Sequence, residues 1–289
     1  MQAVVDGIIA ACAFLPVALG FFVFYRVSGI LHFAHGAIIP LSGYAFLNLS
    51  DSLGVPLTAA IPLSLLLAVL AGVLIELSFY RPLREWDRGR LGTFVVSFGL
   101  YILMASLLSL VFGDETRLSG IFPANEGMAI LGARISVIRM LIGLNAVGTM
   151  LATWLFLHRT NQGRYLRAIA SNNFLARAVG LPMERTYLAA IGFGSLMAAT
   201  TGILMTMDTG IEPNAGLSPL LLGVIAVFVG GRSEFGVVVG AFVIGLAQHV
   251  ATIWIPSKWQ DTIAFVLLSL VLLVRPGGLV GKHAPEVES

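Results

Sequence analysis

Most of the chain consists of long apolar runs, and the polar positions are gathered into short stretches between them. The runs are nearly free of charge and cover residues 55–79, 92–112, 137–157, 186–207 and 260–274. A helix needs about 20 apolar residues to cross the hydrocarbon core of a bilayer. Every run except the last is long enough, and the last needs neighbours such as Trp259. Membrane strands would alternate in hydrophobicity over about 10 residues, which these runs do not. The pattern therefore predicts an all-α, polytopic helical membrane protein.

Two further regions are apolar but are interrupted by glycine and proline. They cover residues 26–49, which include Pro40, and residues 208–245. Irregular backbone at membrane depth is tolerated where protein or a water-filled cavity covers it. Such broken helices often border the route of a transported solute, although glycines also let helices pack closely. Each region could be a full span or a half span of the membrane. With both regions included, we expect about eight or nine membrane segments in a single domain that covers residues 1–289.

Composition and charge support this interpretation and predict an orientation. Of the residues, 57% are hydrophobic and 11% are charged, whereas soluble domains carry about 25% charged residues. The loops at about 80–91 and 158–185 are rich in arginine, and those at about 113–136 and 208–217 have an acidic excess. Because basic loops stay inside, the first pair is predicted to be cytoplasmic and the second periplasmic. The N-terminus is then periplasmic and the C-terminus cytoplasmic. The N-terminal MQAVVDG lacks the basic start of a signal peptide, so we expect the apolar run that begins at the N-terminus to be a permanent span.

Motifs for catalysis are not apparent in the sequence. A phosphate-binding GxxxxGK[ST] fails near GLVGKH because Pro276 occupies the first glycine position, and neither HExxH, GxSxG nor a cysteine cluster occurs. We therefore predict no catalytic residue and no metal site. Energy for transport would come from another subunit or from an ion gradient. Ion-coupled carriers usually hold ionisable residues deep in their spans, whereas most candidates here fall near predicted span ends: Asp6, Glu76, Arg139, Asp208 and Glu212.

Histidines are the other candidates for chemistry inside the membrane. His32 and His35 are three residues apart, so on a helix they share one face. They are a candidate metal or proton pair, or hydrogen-bonded side chains that brace a broken helix. His249 lies deep in an apolar run, and we expect it to be packed and hydrogen-bonded.

The 158–185 loop contains the polar sequence HRTNQGRYLRAIASNNFLARAVGLP. A helix over 164–179 would align Leu166, Ala170, Phe174 and Ala178 in one stripe. Gly180 suits a helix C-cap, and a proline two residues later stops the helix. A short helix with an apolar ridge can enter a groove on a partner protein. It can equally lie on lipid headgroups, and the residues alone leave both alternatives open.

Five blocks of the sequence, in order, resemble the inner-membrane permease family of branched-chain amino acid ABC importers, of the LivH and LivM type. The blocks are ALGFFVFYRVSGILHFAHGAI, RPLR, GRYLRAIASNNFLARAVGL, the glycine-rich stretch 211–248, and RPGGLVGK. Close relatives in this family transport urea and short amides. The chain departs from the usual family pattern at His32 and Ala37, where Asn and Glu are common, and at Ser171, Asn172 and Gln248, where acidic residues are common.

The resemblance implies a fold like that of type II ABC importer permeases and a non-catalytic transport subunit of the bacterial inner membrane. The short chain is similar to the LivH half, which pairs with a second, LivM-like permease subunit to form the path for branched-chain or other hydrophobic amino acids. Two ATP-binding subunits would hold the ATP and magnesium, and this chain would bind no cofactor or nucleic acid. A periplasmic solute-binding protein would dock over 113–136 and 208–217. A urea or short-amide permease and an ion-coupled secondary carrier remain the alternatives.

The resemblance also assigns roles to residues. The residues expected to couple this chain to the ATPase are Arg164, Arg167, Ala170, Phe174, Ala176, Arg177 and Gly180. A zwitterionic solute is costly to strip of water, so the path should offer hydroxyls, imidazoles and carbonyls. The residues expected to line it are Ser28, His32, His35, Ser42, Tyr44 and Ser97.

Overall fold

A computed structural model describes residues 1–86, 89–120, 127–130 and 133–280, and it shows a bundle of apolar helices. Within these ranges, seven helical segments are long and apolar enough to cross a membrane: Gln2–Ser28, Leu57–Glu85, Leu91–Phe112, Val137–Arg159, Met183–Asp208, Glu234–Ala251 and Ser257–Val274. The shorter apolar helices Ala34–Leu47 and Leu217–Gly230 complete the bundle. The seven long segments and two short helices are roughly consistent with the predicted eight or nine membrane segments.

Helices account for nearly all regular structure in the described ranges. They are α1 (Gln2–Ser28), α2 (Ala34–Leu47), α3 (Leu57–Ile75), α4 (Arg81–Glu85), α5 (Gly89–Phe112), α6 (Val137–Arg159), α7 (Asn161–Ser171), α8 (Asn173–Ala178), α9 (Met183–Asp208), α10 (Leu217–Gly230), α11 (Glu234–Ala251) and α12 (Gln260–Val274). π-Helical turns extend α2 over Asn48–Ser52 and join α3 to α4 over Glu76–Tyr80, and a 3₁₀ turn at Ser257–Trp259 precedes α12. An antiparallel hairpin of β1 (Gly127–Ile130) and β2 (Ala133–Ser136) lies in the loop before α6.

Helix α1 forms the centre of the bundle. It has 27 residues, which is about 40 Å at 1.5 Å per residue, and it packs against α6, α9, α10 and α11. Most of its apolar window, 78%, is buried, whereas only 6% of the window of the segment that ends in α12 is buried. A helix that is apolar on all sides is typical of a bundle centre. The outer faces of α3, α5, α6 and α12 instead leave large apolar side chains exposed, as contact with lipid or another subunit requires.

Two glycines allow the helices around α1 to approach closely. A Cβ atom at Gly20 would lie 2.8 Å from the carbonyl oxygen of Gly194 on α9. A Cβ atom at Gly7 would lie 2.9 Å from the carbonyl oxygen of Gly245 on α11. Small residues at such crossings let two backbones touch. At these positions the glycines serve helix packing, the structural alternative left open by the sequence.

Both interrupted regions turn back into the bundle before a short helix begins. Helix α1 ends at Gly29, with φ +67°, and α2 starts five residues later at Ala34. After α9, Gly210 has φ +86°, and the chain returns inward until α10 starts at Leu217. The two returning segments meet, since a Cβ atom at Gly36 would lie 3.1 Å from the carbonyl oxygen of Gly216. Region 26–49 therefore contains one short helix, and region 208–245 contains a short helix followed by α11.

Contacts between loops define two ends of the bundle. Arg81 lies 3.4 Å from Glu184, and His158 lies 3.4 Å from Glu234 at the start of α11. The backbone N–H of Leu279 donates to the Val229 carbonyl at 2.8 Å, near the end of α10, which α11 follows. The 80–91 loop, the 158–185 loop and the end of the described chain therefore share one side, which we call the arginine-rich end.

The first residues of α1 and the segments 113–120 and 208–216 lie at the opposite end. Arg117 N–H donates to Ile211 O at 2.9 Å, and Arg139 pairs with Asp6 at 2.9 Å. These contacts place the first residues of α1 beside the two segments predicted to share its side, while the compartment that each end faces stays a prediction. Asp87, Arg88, residues 121–126, residues 131–132 and the tail beyond 280 lie outside the described residues.

Candidate functional site

The 158–185 loop folds as two short helices. Helix α7 begins after Thr160, whose side-chain oxygen accepts the Gly163 N–H at 3.0 Å. Asn172 is extended, with φ −151°, and its side-chain oxygen accepts the Leu175 N–H at 2.9 Å to start α8. The predicted single helix over 164–179 is therefore wrong. Asparagine side chains compete for backbone hydrogen bonds and favour N-cap positions, and this one divides the segment.

One face of the segment is buried and the other carries exposed apolar side chains. Leu166 and Ile169 of α7 are buried, and α7 packs on α1, α6 and α9. The predicted stripe is not continuous, because the kink at Asn172 separates buried Leu166 from Phe174, which is 84% exposed. Phe174, Leu175 and Val179 form an exposed apolar patch on α8 and the residue that follows it. We call these three residues the Phe174 ridge.

The predicted coupling residues divide between surface and interior. Arg164, Ala170, Phe174 and Arg177 are exposed. Arg167 is half-buried. Ala176 is only 3% exposed, so a docking protein would meet Phe174 and Leu175 before it reached Ala176. Contact between Ala176 and a partner stays a prediction. Leu175 and Val179, which were not predicted, are the exposed apolar residues beside Phe174.

Gly180 ends α8 in a Schellman motif. Its φ is +76°, its N–H donates to Arg177 O at 3.0 Å, and the Leu181 N–H donates to Ala176 O at 3.0 Å. This pair of bonds satisfies carbonyls that a helix end leaves open, and it needs a left-handed residue. The predicted glycine cap is confirmed.

Arg84 connects the 158–185 loop to α3 and α9. Its guanidinium pairs with the buried carboxylate of Glu76, and its Cζ atom lies 4.1 Å from the ring centroid of Tyr187. Asn173 at the start of α8 donates to the Tyr187 hydroxyl at 3.5 Å. Contacts therefore link α8 to α9 at Tyr187, and Arg84 links Tyr187 to Glu76 directly after α3. Sequence reasoning missed this pairing, because Glu76 and Arg84 are eight residues apart, beyond the spacing of neighbours on a helix.

The residues predicted to line the path form internal contacts in this conformation. His32 Nδ1 lies 2.6 Å from the Tyr80 hydroxyl, which donates to Ser97 Oγ at 2.8 Å. Ser97 Oγ also accepts the Phe33 N–H at 2.6 Å. The network attaches the linker between α1 and α2 to the π-helical turn after α3 and to α5. A bracing role, one of the two alternatives for the histidines, therefore fits the geometry.

The remaining predicted path residues are also held within the chain. Ser42 donates to Ile39 O at 2.8 Å, and Tyr44 stacks on Phe112 with ring centroids 4.5 Å apart. Ser28 donates to Phe24 O at 2.8 Å. His35 is 1% exposed and lies 5.4 Å from His32 between ring centroids. Within the described part of the chain, no group of three or more His, Cys, Asp or Glu side chains is placed to hold a metal ion. A path-lining role for all six residues stays a prediction.

A cavity of about 460 Å³ opens at the opposite end, between α1, α6, α9, α10 and α11. Arg139 Nη1 lies 2.9 Å from Asp6 Oδ1, and Arg139 Nε lies 3.9 Å from Asp208 Oδ1. His249 also lines the cavity, and its Nδ1 lies 3.1 Å from Gly245 O on its own helix. Each of these four side chains was a candidate in the sequence. The sequence did not predict that they lie together, because Asp6 and Arg139 are 133 positions apart.

Similar proteins identify the kind of molecule. Residues 3–272 match the family described as "Branched-chain amino acid transport system / permease component". The permease protein LivH of Salmonella typhimurium is 27% identical over 305 residues, which cover 100% of this chain and 97% of the relative. The permease protein BraD of Pseudomonas aeruginosa is 28% identical over 303 residues, with coverage of 100% and 97%.

A solved structure shares the fold. PsaBC from Streptococcus pneumoniae in complex with Fab superposes with a TM-score of 0.51 at 13% sequence identity, over 96% of this chain and 93% of that chain. At this identity the likeness concerns the fold alone. The family match extends over almost all of the helical bundle, so this multi-pass membrane protein belongs to the family of permease components of branched-chain amino acid transport systems.

Proposed function

We propose that this chain forms half of the translocation path of an ATP-driven importer for branched-chain or other apolar amino acids. The observation that carries the proposal is the Phe174 ridge. Phe174 is 84% exposed and Val179 is 65% exposed, on an otherwise polar segment at the arginine-rich end. Apolar patches with a charged rim mark sites of protein interaction. The ridge therefore offers a surface for an ATP-binding partner that supplies the energy.

The orientation of the proposed subunit follows from its arginines. The arginine-rich end faces the cytoplasm of a bacterial inner membrane, which puts the N-terminus in the periplasm and the C-terminus in the cytoplasm. Two ATP-binding subunits dock there and hold ATP and magnesium. A solute-binding protein docks at the other end, over 113–136 and 208–217. The exposed apolar faces of α5 and α12 offer surface for a second, LivM-like permease subunit as well as for lipid.

Motion of the 158–185 loop couples ATP binding to transport. Closure of the ATPase subunits pushes the Phe174 ridge, and α8 transmits this push to Tyr187 on α9 through Asn173. Arg84 transmits it to α3 because its guanidinium lies over the Tyr187 ring and pairs with Glu76. Rigid-body displacement of these long helices then opens the path alternately to the two sides. The full-length similarity to LivH and BraD supports branched-chain amino acids as the solutes.

The test of the docking surface compares two exposed aromatic residues at the same end. Phe174 is 84% exposed and Phe235, at the start of α11, is 60% exposed. Burying one phenylalanine stabilises association by about 1.5–3 kcal/mol. We expect Phe174→Ser to weaken co-purification with the ATP-binding subunits about tenfold or more, and Phe235→Ser to leave it unchanged. Thermal unfolding of the isolated chain should be the same for both variants.

Two outcomes contradict this account. Equal co-purification of the two variants places the docking surface elsewhere. Unchanged ATPase association of Phe174→Ser, with slower reaction of Phe174→Cys with a water-soluble thiol reagent in nanodiscs of anionic lipid than in neutral ones, shows that the ridge lies on lipid headgroups. In reconstituted uptake, competition by leucine supports the proposed solutes, whereas competition by urea or acetamide alone supports the amide-permease alternative.

A further inference from the structure

The cavity at the opposite end brings together both signs of charge inside one subunit. Arg139 on α6 lies between two carboxylates, at 2.9 Å from Asp6 on α1 and 3.9 Å from Asp208 on α9. These three side chains lie near the ends of their helices, and the feature that distinguishes them is that they meet at the wall of a cavity. One guanidinium faces two carboxylates, so the closer pair leaves the charge of Asp208 only partly compensated. The cavity thus presents a carboxylate that can bind an ammonium group.

The guanidinium can also bind a ligand anion besides the two carboxylates of the protein. Arginine has five N–H donors in a planar fork, which suits carboxylates. Asp6 engages Nη1, and the Arg139 side chain remains 36% exposed at the cavity wall. A ligand carboxylate can therefore approach Arg139 while a ligand ammonium group approaches Asp208. The two charged partners lie on different helices that end at the same level of the bundle.

The remaining walls of the cavity are mostly apolar. Phe14, Ile142, Leu204 and Leu222 line it from α1, α6, α9 and α10. Its volume, about 460 Å³, falls in the range of roughly 300–1,000 Å³ that is usual for small-molecule sites. Apolar walls with a few fixed polar groups are also the usual composition of such sites. A purely structural ion pair needs no cavity beside it.

We propose that this cavity is a binding site for a zwitterionic amino acid with an apolar side chain. Asp208 binds the ammonium group, Arg139 binds the carboxylate, and the apolar walls contact the side chain. The inference rests on the proposed function and adds to it a site within a single permease subunit, on the side where solute arrives. It is separate from the buried His32 network near the arginine-rich end.

The experiment uses the complete importer in nanodiscs without the solute-binding protein. Binding of labelled leucine is measured by competition with unlabelled leucine, with isocaproate, which lacks the amine, and with isoamylamine, which lacks the carboxylate. We expect leucine to compete at least tenfold better than either analogue, because each loses a charge-assisted hydrogen bond. Asp208→Asn should weaken leucine binding about tenfold or more and leave isocaproate unaffected. Asp51→Asn, which changes an exposed carboxylate outside the cavity, should change neither.

A labelling measurement keeps the test independent of the stability of the Asp208 variant. Ser218 is exposed and lines the cavity, and the native Cys12 is buried at 8% exposure. Leucine should slow the reaction of Ser218→Cys with a small thiol reagent, and isoamylamine should slow it less. Protection by phosphatidylethanolamine in the nanodisc, without any by leucine, would mean that a lipid headgroup occupies the cavity and would overturn the proposal.

The outcomes separate this inference from the proposed function. Normal ATP-driven leucine uptake, together with no displaceable leucine binding and no protection of Ser218→Cys, overturns the cavity site and leaves the importer function standing. Failure of ATP-driven uptake by the wild-type importer would instead contradict the proposed function.

Discussion

Gly180 is the glycine of the 158–185 loop that has a left-handed backbone conformation. Its φ is +76°, and a Cβ atom at this position would have no neighbouring atom within 4 Å beyond the adjacent residues of the chain. A side chain at this position would therefore not clash with other residues, and its cost would be the free energy of holding a non-glycine residue in the left-handed conformation. For an L-residue the left-handed conformation costs about 1–2 kcal/mol, and a β-branched residue lies at the upper end. At 1.4 kcal/mol for each factor of ten, Gly180→Val should lower the equilibrium constant between the capped and uncapped forms of α8 by about 10- to 30-fold.

The assay is ATPase stimulation by the solute-loaded binding protein in proteoliposomes. We expect Gly180→Val to lower stimulated ATPase activity and coupled uptake about tenfold, because the Phe174 ridge is held by α8 and its cap. Gly180→Asn should retain most of the activity, since asparagine tolerates the left-handed conformation. Gly54→Val is the matched control: Gly54 has φ +65° with equally open surroundings, but it lies between α2 and α3.

Two results would refute this reasoning. Full stimulation in the Gly180→Val variant would show that the cap does not hold the coupling surface. An equal loss in Gly54→Val would show that a strained glycine position anywhere in the chain has the same effect, and that the loss reports general destabilisation.

Two other predictions concern the interior at the arginine-rich end. Ala176→Glu should place a charge at a position that is 3% exposed and destabilise the isolated chain by roughly 3 kcal/mol or more. Its thermal unfolding temperature in detergent should fall, whereas that of Ala170→Glu, at an exposed position of the same loop, should not. An unchanged unfolding temperature for Ala176→Glu would contradict the burial of Ala176. Arg84→Met should leave the buried Glu76 carboxylate unpaired and lower the stability of the folded chain by about 3–5 kcal/mol. In a double-mutant cycle measured by denaturation, adding Glu76→Gln should restore most of this stability. Additive effects of the two substitutions would mean that the pair does not interact.

The membrane spans could be predicted from the sequence because length and hydropathy decide them. The runs 92–112 and 137–157 became α5 (Gly89–Phe112) and α6 (Val137–Arg159). The bilayer core sets the minimum length of such a helix, and no tertiary detail is needed. The grouping of loops at two ends followed in the same way from the distribution of arginine.

The division of the 158–185 loop could not be read from its apolar periodicity. The spacing of Leu166, Ala170, Phe174 and Ala178 fits one helix. Hydrophobic spacing alone, however, does not show whether a side chain forms a hydrogen bond with the backbone that interrupts the helix. The consecutive Asn172 and Asn173 were the available signal, because asparagine favours caps and turns over helix interiors. This one capping bond decides which apolar side chains are exposed.

Contacts between residues that are far apart in the sequence could be found only from the tertiary structure. Asp6, Arg139 and Asp208 lie near the ends of three different helices, and single-span reasoning treats each as a solvated end. The same holds for the bond between His32 and Tyr80, which are 48 positions apart. Sequence patterns predict which segments are helices, whereas the contacts that join them depend on how α1 and α9 pack.

The central claim is that ATP hydrolysis by partner subunits drives solute through this chain by way of the 158–185 loop. The most direct measurement is leucine uptake into proteoliposomes that contain this chain, its permease partner, the ATP-binding subunits and the solute-binding protein. The account predicts accumulation against a gradient only when ATP and all subunits are present, and unchanged accumulation when an uncoupler collapses ion gradients at constant ATP. Accumulation or equilibration of leucine by the purified chain alone, without ATP, would contradict it.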